Sequence, residues 1–135
     1  MDFQVNEVFP RIHHITEFPE LKFDHLLDIL KEIYHTNGNL EKIVILTSSD
    51  NTANIIADFL NRYNVQVTTY SGSRKPKRKR RAVYGFNTGR FQILVVSQSG
   101  LDAETGEIFH FINFDMTLPY PLNQRSTRNK NRRQG

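Results

Sequence analysis

The sequence predicts an α/β fold with a central, mainly parallel sheet covered by helices on both faces. Short segments rich in apolar or β-branched residues at 42–46, 65–70, 91–96 and 109–114 have the length of strands. Segments of helical spacing lie between several of them, as parallel crossovers require. The runs at 42–46 and 91–96 are apolar on successive residues, which suits strands buried on both faces.

Arg11 to Phe18 alternates around His13 and His14 and reads as a short strand that Pro19 closes. Phe23, Leu26, Leu27, Leu30, Ile33 and Tyr34 then recur at helical spacing, and Asn37-Gly38-Asn39 signals the turn after them. Lys42 to Leu46 follows as a buried strand. Ser49 or Asp50 can cap the next helix, with Ile55, Ile56, Phe59, Leu60 and Tyr63 as its apolar face. Val65 to Tyr70 is β-branched and alternating, and Ser71-Gly72-Ser73 is a loop.

Pro76 suits the first turn of a third helix. Lys79, Ala82, Val83 and Phe86 form its inward stripe, and Gly89 fits the residue just past its end. Phe91 to Val96 is another buried strand, Leu101 to Glu107 a polar loop, and Phe109 to Phe114 the last strand. Ligands of such sheets bind beyond the carboxyl ends of the strands, here near Thr47–Ser49, Ser71–Arg74 and Ser97–Leu101.

The chain has 135 residues, enough for one core. It has no cysteine, which excludes a disulfide scaffold, a cysteine metal site and a thiol nucleophile. No apolar run approaches the roughly 18 residues a membrane span needs, and residues 1–20 lack the apolar core of a secretory signal. An intracellular soluble domain, with no membrane partner, is the expectation.

Charge is unevenly spread. Residues 1–73 carry 5 Lys/Arg and 10 Asp/Glu, and residues 74–135 carry 13 and 4, so the halves differ as −5 and +9. Arg74, Lys75, Lys77, Arg78, Lys79, Arg80 and Arg81 form one basic cluster, RKPKRKRR, and Arg125 to Arg133 another. Such clusters suggest an anionic partner, most simply nucleic acid. A solvated face or a nuclear-import signal are the plainer readings of the first cluster.

Helical spacing from Pro76 sends Lys77, Arg78, Arg80 and Arg81 outward and leaves Lys79 at the edge of the buried stripe. Like charges this close repel, and cations at a helix N-terminus oppose the dipole. A bound phosphate would relieve both effects. Thr47, Ser48, Ser49, Ser97, Gln98 and Ser99 at the strand ends could also donate to phosphate, although Ser49 can simply be a cap.

The histidines show no metal-ligand spacing, so neither metal nor cofactor is expected. Asp102 and Glu104 sit in a polar loop, where solvent exposure is commoner than acid/base chemistry. Tyr70 or Tyr84 could stack on a base, with core packing or surface cover as the commoner fate.

Residues from about Arg11 to Arg132 resemble the second RecA-like domain of DEAD-box RNA helicases. Lys42 to Leu60, KIVILTSSDNTANIIADFL, is similar to that family's fourth-motif strand and helix. Tyr70-Ser71-Gly72 stands where the family has His-Gly. The segment from Arg81 to Gly89 resembles the helix end before the ILVAT strand. Ile93 to Ser97 matches that strand, and Ile112 to Asp115 matches VINYD. The resemblance implies a RecA-like three-layer α/β/α domain over 1–116 and a basic segment at 117–135.

The departures imply a degenerate domain that is not an enzyme. Where the family has ATD-x-AARGLD, the chain keeps only Gly100-Leu101-Asp102, after Ser97-Gln98-Ser99. In the place of HRxGRxGR, Arg125 and Arg128 survive as residual nucleotide-facing candidates, with electrostatics of a basic tail as the alternative. The family's Gln-x-x-Arg pair falls on Pro76 and Lys79. No phosphate-cradling G-x-x-x-x-G-K-[ST] occurs, and Met1 stands directly before the domain. That layout is similar to the N-terminal helicase-like domain of Yb-type Tudor-helicase proteins of the piRNA pathway.

The expectation is therefore a non-catalytic domain binding single-stranded RNA, with weak sequence preference, through Arg74–Arg81 and the adjacent loops. The resemblance places it in the cytoplasm, in perinuclear RNA–protein granules. The rival expectation is a self-associating or docking module, with a homo-oligomer as its partner state. A helicase half that closes over ATP with a partner domain is the third, and Arg125 and Arg128 alone support it.

Overall fold

The structure, a computed structural model, describes residues 10–16 and 19–117. Among these, β1 (Arg11–His14) leads to α1 (Lys22–Asn37), β2 (Ile43–Thr47) and α2 (Asp50–Asn61). Then come β3 (Val67–Tyr70), α3 (Pro76–Asn87), β4 (Ile93–Ser97) and β5 (His110–Asn113), with single 3-10 turns at Pro19–Leu21 and Gln98–Gly100. The strands form one parallel sheet in the order β1-β5-β2-β4-β3. The chain moves outward from β2 to β3 and back from β3 to β4. With right-handed crossovers this reversal puts α2 and α3 on opposite faces.

Side-chain alternation divides the core in two. Ile43 and Ile45 of β2, Ile93 and Val95 of β4, and Ile112 of β5 pack with α1 and α2. Leu26, Leu30 and Ile33 supply the α1 stripe, and Ala53, Ile56, Ala57 and Leu60 the α2 stripe. Val44, Leu46, Leu94, Val96 and Phe111 face the other way, against Ala82 and Phe86 of α3 and Ala103 of the loop after β4. The predicted three-layer arrangement is the observed one.

Local chemistry sets the element ends. Ser49 caps α2: its Oγ accepts the Thr52 N–H at 3.1 Å. Gly38, at φ 83°, ends α1 in the left-handed region and returns its N–H to the Tyr34 carbonyl. Lys42 Nζ donates to the Phe86 and Asn87 carbonyls, closing the C-terminus of α3.

Several expected bounds shift. The first strand ends at His14, although Ile15 extends the ladder by an N–H bond to the Asn113 carbonyl; Phe18 lies outside the described residues. Ile55 and Tyr63 do not join the core face of α2. Both are exposed, at 48% and 56%, because Ala53, Ile56, Ala57 and Leu60 complete the buried stripe and Tyr63 follows the helix end. β3 starts at Val67, since Val65 still bonds back to the Leu60 carbonyl. The basic segment expected at 117–135 lies outside the described residues beyond Thr117.

Candidate nucleic-acid interface

Parallel strands deliver their carboxyl ends to one edge of the sheet, and the ends of β2, β3 and β4 run into hydroxyl residues. Two carboxylates collect them. Asp50, in the first turn of α2, accepts from Ser97 Oγ at 2.5 Å, Ser73 Oγ at 2.6 Å and Ser99 Oγ at 3.0 Å. One carboxylate therefore ties α2 to the loops after β3 and β4. The Ser73 and Ser97 hydroxyls hold its carboxyl below the usual carboxylate range, against the opposing effect of burial; Ser99 and the Arg74 charge add to the shift.

Asp115 does the same after β5. It accepts from Thr47 Oγ1 at 2.9 Å, Ser48 N–H at 2.8 Å and Ser48 Oγ at 3.0 Å. Asn113 closes this loop by a two-way bond with the Met116 backbone.

The loop after β3 lies directly on the turn after β4. Gly72 N–H donates to Ser99 Oγ at 2.8 Å. A Cβ at Gly72 would stand 2.3 Å from the Ser99 carbonyl oxygen, and one at Gly100 2.6 Å from the Tyr70 carbonyl oxygen. Both glycines serve close backbone approach.

This fixed loop launches the basic helix. Lys75 is the N-cap residue, but no side chain caps the helix, and its first turn holds no acid. Pro76 occupies the opening position, where its missing N–H costs nothing. Lys75, Lys77, Arg78, Arg80 and Arg81 are exposed, and Arg74 is half-buried beside Asp50. Lys79 turns inward, with its Nζ 5.5 Å from the centre of the Tyr70 ring. The outward set read from helical spacing is the observed one.

The strand-end candidates divide. Thr47 and Ser97 are fully buried with their hydroxyls committed to carboxylates, so they hold the loops and do not meet a ligand. This corrects their expected place in the RNA contact. Ser49 spends its hydroxyl on Thr52 as a cap. Ser48 is exposed but bonded to Asp115, and the Gln98 side chain is exposed with no side-chain hydrogen bond among the described residues. Arg125 and Arg128 lie outside the described residues.

Sequence reasoning named Asp50 only as a rival cap and gave Asp115 no role. Serines clustered at strand ends were the available signal, but the pairings span 23 to 68 residues. A second pairing, between His13 Nε2 and His110 Nδ1 at 3.2 Å, joins β1 to β5. Burial pushes both imidazoles below their ordinary pKa, helped by the Arg11 charge; for His110 the His13 charge ranks before that of Arg11. Glu32 opposes the shift at His13. Among the described residues no group of three or more His, Cys, Asp or Glu could hold a metal, and no helix is long and apolar enough to cross a membrane.

The family described as "Helicase conserved C-terminal domain" matches residues 21–131. The chain belongs to that family. This helicase C-terminal domain is 32% identical over 98 residues to "Probable ATP-dependent RNA helicase DDX4" of Sus scrofa. It is 31% identical over the same length to "ATP-dependent RNA helicase DDX4" of Mus musculus. Each match covers 70% of the chain and 13% of the relative, so the chain spans a small part of the curated relatives it matches.

Solved structures agree on the fold. The Pyrococcus furiosus Hef helicase domain superimposes with a TM-score of 0.65 at 22% identity, covering 81% of this chain and 22% of that one. The C-terminal domain of the DEAD-box protein Dbp5 gives 0.64 at 18% identity, covering 83% and 60%. The RecA-like architecture of the helicase domain is thereby established.

Proposed function

We propose that this helicase C-terminal domain binds single-stranded RNA through the basic opening of α3 and performs no catalysis of its own. The observation that carries the reading is the cluster itself. Five exposed cations, Lys75, Lys77, Arg78, Arg80 and Arg81, crowd an uncapped helix N-terminus whose first turn holds no acid. Their repulsion and the helix dipole both favour an anion there. A polyanion satisfies several of them at once. The names of the DDX4 relatives, ATP-dependent RNA helicases, support RNA as the polyanion.

The non-catalytic reading is supported by the stretch after β4. Ser97-Gln98-Ser99 stands in place of the family's Thr-Asp step, and Asp50 holds both serine hydroxyls. The sequence resemblance to Yb-type proteins supports a place in the piRNA pathway, in cytoplasmic RNA–protein granules.

Fluorescence anisotropy with a short single-stranded RNA across salt concentrations tests the reading. The comparison variant carries Lys77→Glu, Arg78→Glu, Arg80→Glu and Arg81→Glu, with folding checked by circular dichroism. The expected result is binding with a steep salt slope, roughly 0.7 per phosphate contact, lost in the folded variant. Absence of binding at low salt overturns the reading.

Self-association is the second reading, and one feature favours it. An apolar groove of about 1000 Å³ runs between the C-terminal ends of α1 and α2, over Leu27, Leu40 and Val65. Tyr34 and Tyr63 flank it, each 56% exposed. Sedimentation equilibrium across protein concentrations tests whether a second copy covers it: a mass that rises toward the dimer supports the reading, and a constant monomer mass removes it.

A further inference from the structure

A groove of about 620 Å³ lies between α3 and the loop after β4. Its volume is within the roughly 300–1,000 Å³ range of small-ligand sites. Lys79, Arg80, Tyr84 and Asn87 line the helix side, and Asp102 and Glu104 the loop side. Among the described residues no ion pair joins its cationic wall to its acidic one.

We propose that this groove takes one guanine base of a bound single-stranded RNA, stacked on Tyr84 and read by Asp102, Glu104 and Asn87. The proposal rests on the RNA-binding reading above and adds to it a base readout that phosphate contacts cannot supply.

Tyr84 is the stacking platform. It is 72% exposed, the most exposed of the large hydrophobic side chains among the described residues. It follows Arg80 by four positions and Arg81 by three, so its ring shares a helix face with phosphate-binding cations roughly 5–6 Å away at Cβ. A nucleotide whose phosphate meets Arg80 can lay its own base on Tyr84. Tyr70 offers no such face. It is 7% exposed, with the Lys79 ammonium over its ring.

The groove's polar groups choose the base. Asn87 Oδ1 accepts the Gly106 N–H at 2.8 Å, which leaves its NH₂ to donate. Asp102 and Glu104 are exposed and, when ionised, only accept. Guanine presents two adjacent donors, N1–H and N2–H₂, beside the O6 acceptor. A carboxylate pairs with the donors and the Asn87 NH₂ with O6. Uracil offers a single donor, N3–H, flanked by two carbonyl oxygens, so a carboxylate that pairs with it meets repulsion where guanine supplies its second donor. Adenine and cytosine set a bare ring nitrogen beside their one amino group. The opposed walls also disfavour peptides of either net charge, while a nucleotide carries its anion and its donor edge at opposite ends.

The test measures affinity for a short oligouridine and for the same oligomer with one internal guanosine, adenosine or cytidine. Wild type is compared with Tyr84→Ala, Tyr84→Phe and Asp102→Asn/Glu104→Gln, each over a salt series. The guanosine oligomer should bind more tightly than the others. Tyr84→Ala should lose about 5- to 100-fold on it, leaving the salt slope unchanged, and Tyr84→Phe should retain the stacking. Asp102→Asn/Glu104→Gln should abolish the difference between guanosine and uridine. Equal binding of all four RNAs, a preference for adenosine or cytidine, or an inert Tyr84→Ala overturns this proposal and leaves the RNA reading standing. No binding to any RNA at low salt overturns both.

Discussion

Ser97 Oγ donates to Asp50 Oδ1 at 2.5 Å, joining the end of β4 to the first turn of α2. The same carboxylate holds Ser73 and Ser99. The loops after β3 and β4 thus share one anchor on α2 at the carboxyl edge of the sheet, and the basic helix starts two residues after Arg74, beside that anchor.

Replacing Asp50 with Ala is expected to lower stability by about 1–3 kcal/mol, since charge-assisted bonds to three hydroxyls are lost. Denaturant unfolding measures this. RNA affinity should fall too, because the loop leading into α3 loses its tether. Unchanged stability would show that the three serine bonds contribute nothing net.

Acid should loosen the same anchor. The Asp50 carboxyl in the folded chain titrates below its ordinary value of 3.8. The unfolded chain therefore takes up this proton first as pH falls. The stabilisation is complete above about pH 3.8 and disappears as pH drops through the depressed folded value. In an Asp50→Asn variant, the stability curve over this acid range should be flatter than in wild type.

The His13–His110 pair acts in a higher window. Both imidazoles in the folded chain titrate below the ordinary 6.5, so the unfolded chain binds protons more readily as pH falls through 6.5. Their contribution is present above that value and is lost progressively below it. Thermal unfolding from pH 7.5 to 5 should show falling stability that a His13→Gln/His110→Gln variant lacks over that range.

Gly72→Ala is expected to cost about 1–3 kcal/mol, as overpacking does. Its Cβ meets a backbone oxygen of Ser99 that no rotamer change can move. The displaced loop should weaken RNA binding as well. A variant with wild-type melting temperature and RNA affinity would mean the loop relocates freely.

Single charge removals should behave differently from these anchor variants. Lys77→Ala leaves the fold untouched, since Lys77 is exposed at the start of α3. If it contacts one phosphate, the salt slope should drop by roughly 0.7. Affinity should fall evenly across RNA sequences.

The layered sheet was legible because its signals are local. Continuous apolar runs at Ile43–Leu46 and Ile93–Val96 mark strands buried on both faces, and they are. The outward direction of Lys77, Arg78, Arg80 and Arg81 followed from helical geometry alone. The carboxylate anchors were not legible. Asp50 meets Ser97 across 47 residues and Asp115 meets Thr47 across 68, and only strand order decides such neighbours. Burial of the Thr47 and Ser97 hydroxyls was hidden for the same reason. Tyr70 and Tyr84 look alike in sequence, yet one ends a strand under α3 and the other faces solvent.

The uncapped start of α3 has a consequence for motion. With no side chain on its first N–H groups and no acid within that turn, the turn should open more readily than the rest of the helix, which Ala82, Gly85 and Phe86 anchor in the core. Amide hydrogens around Lys77 and Arg78 should exchange early, and those around Phe86 late. A bound polyanion supplies the missing acceptors and neutralises the crowding, so this turn should tighten upon binding. On the RNA-binding reading proposed above, the contact surface would be partly assembled by its own ligand, with order spreading from the partner into the protein.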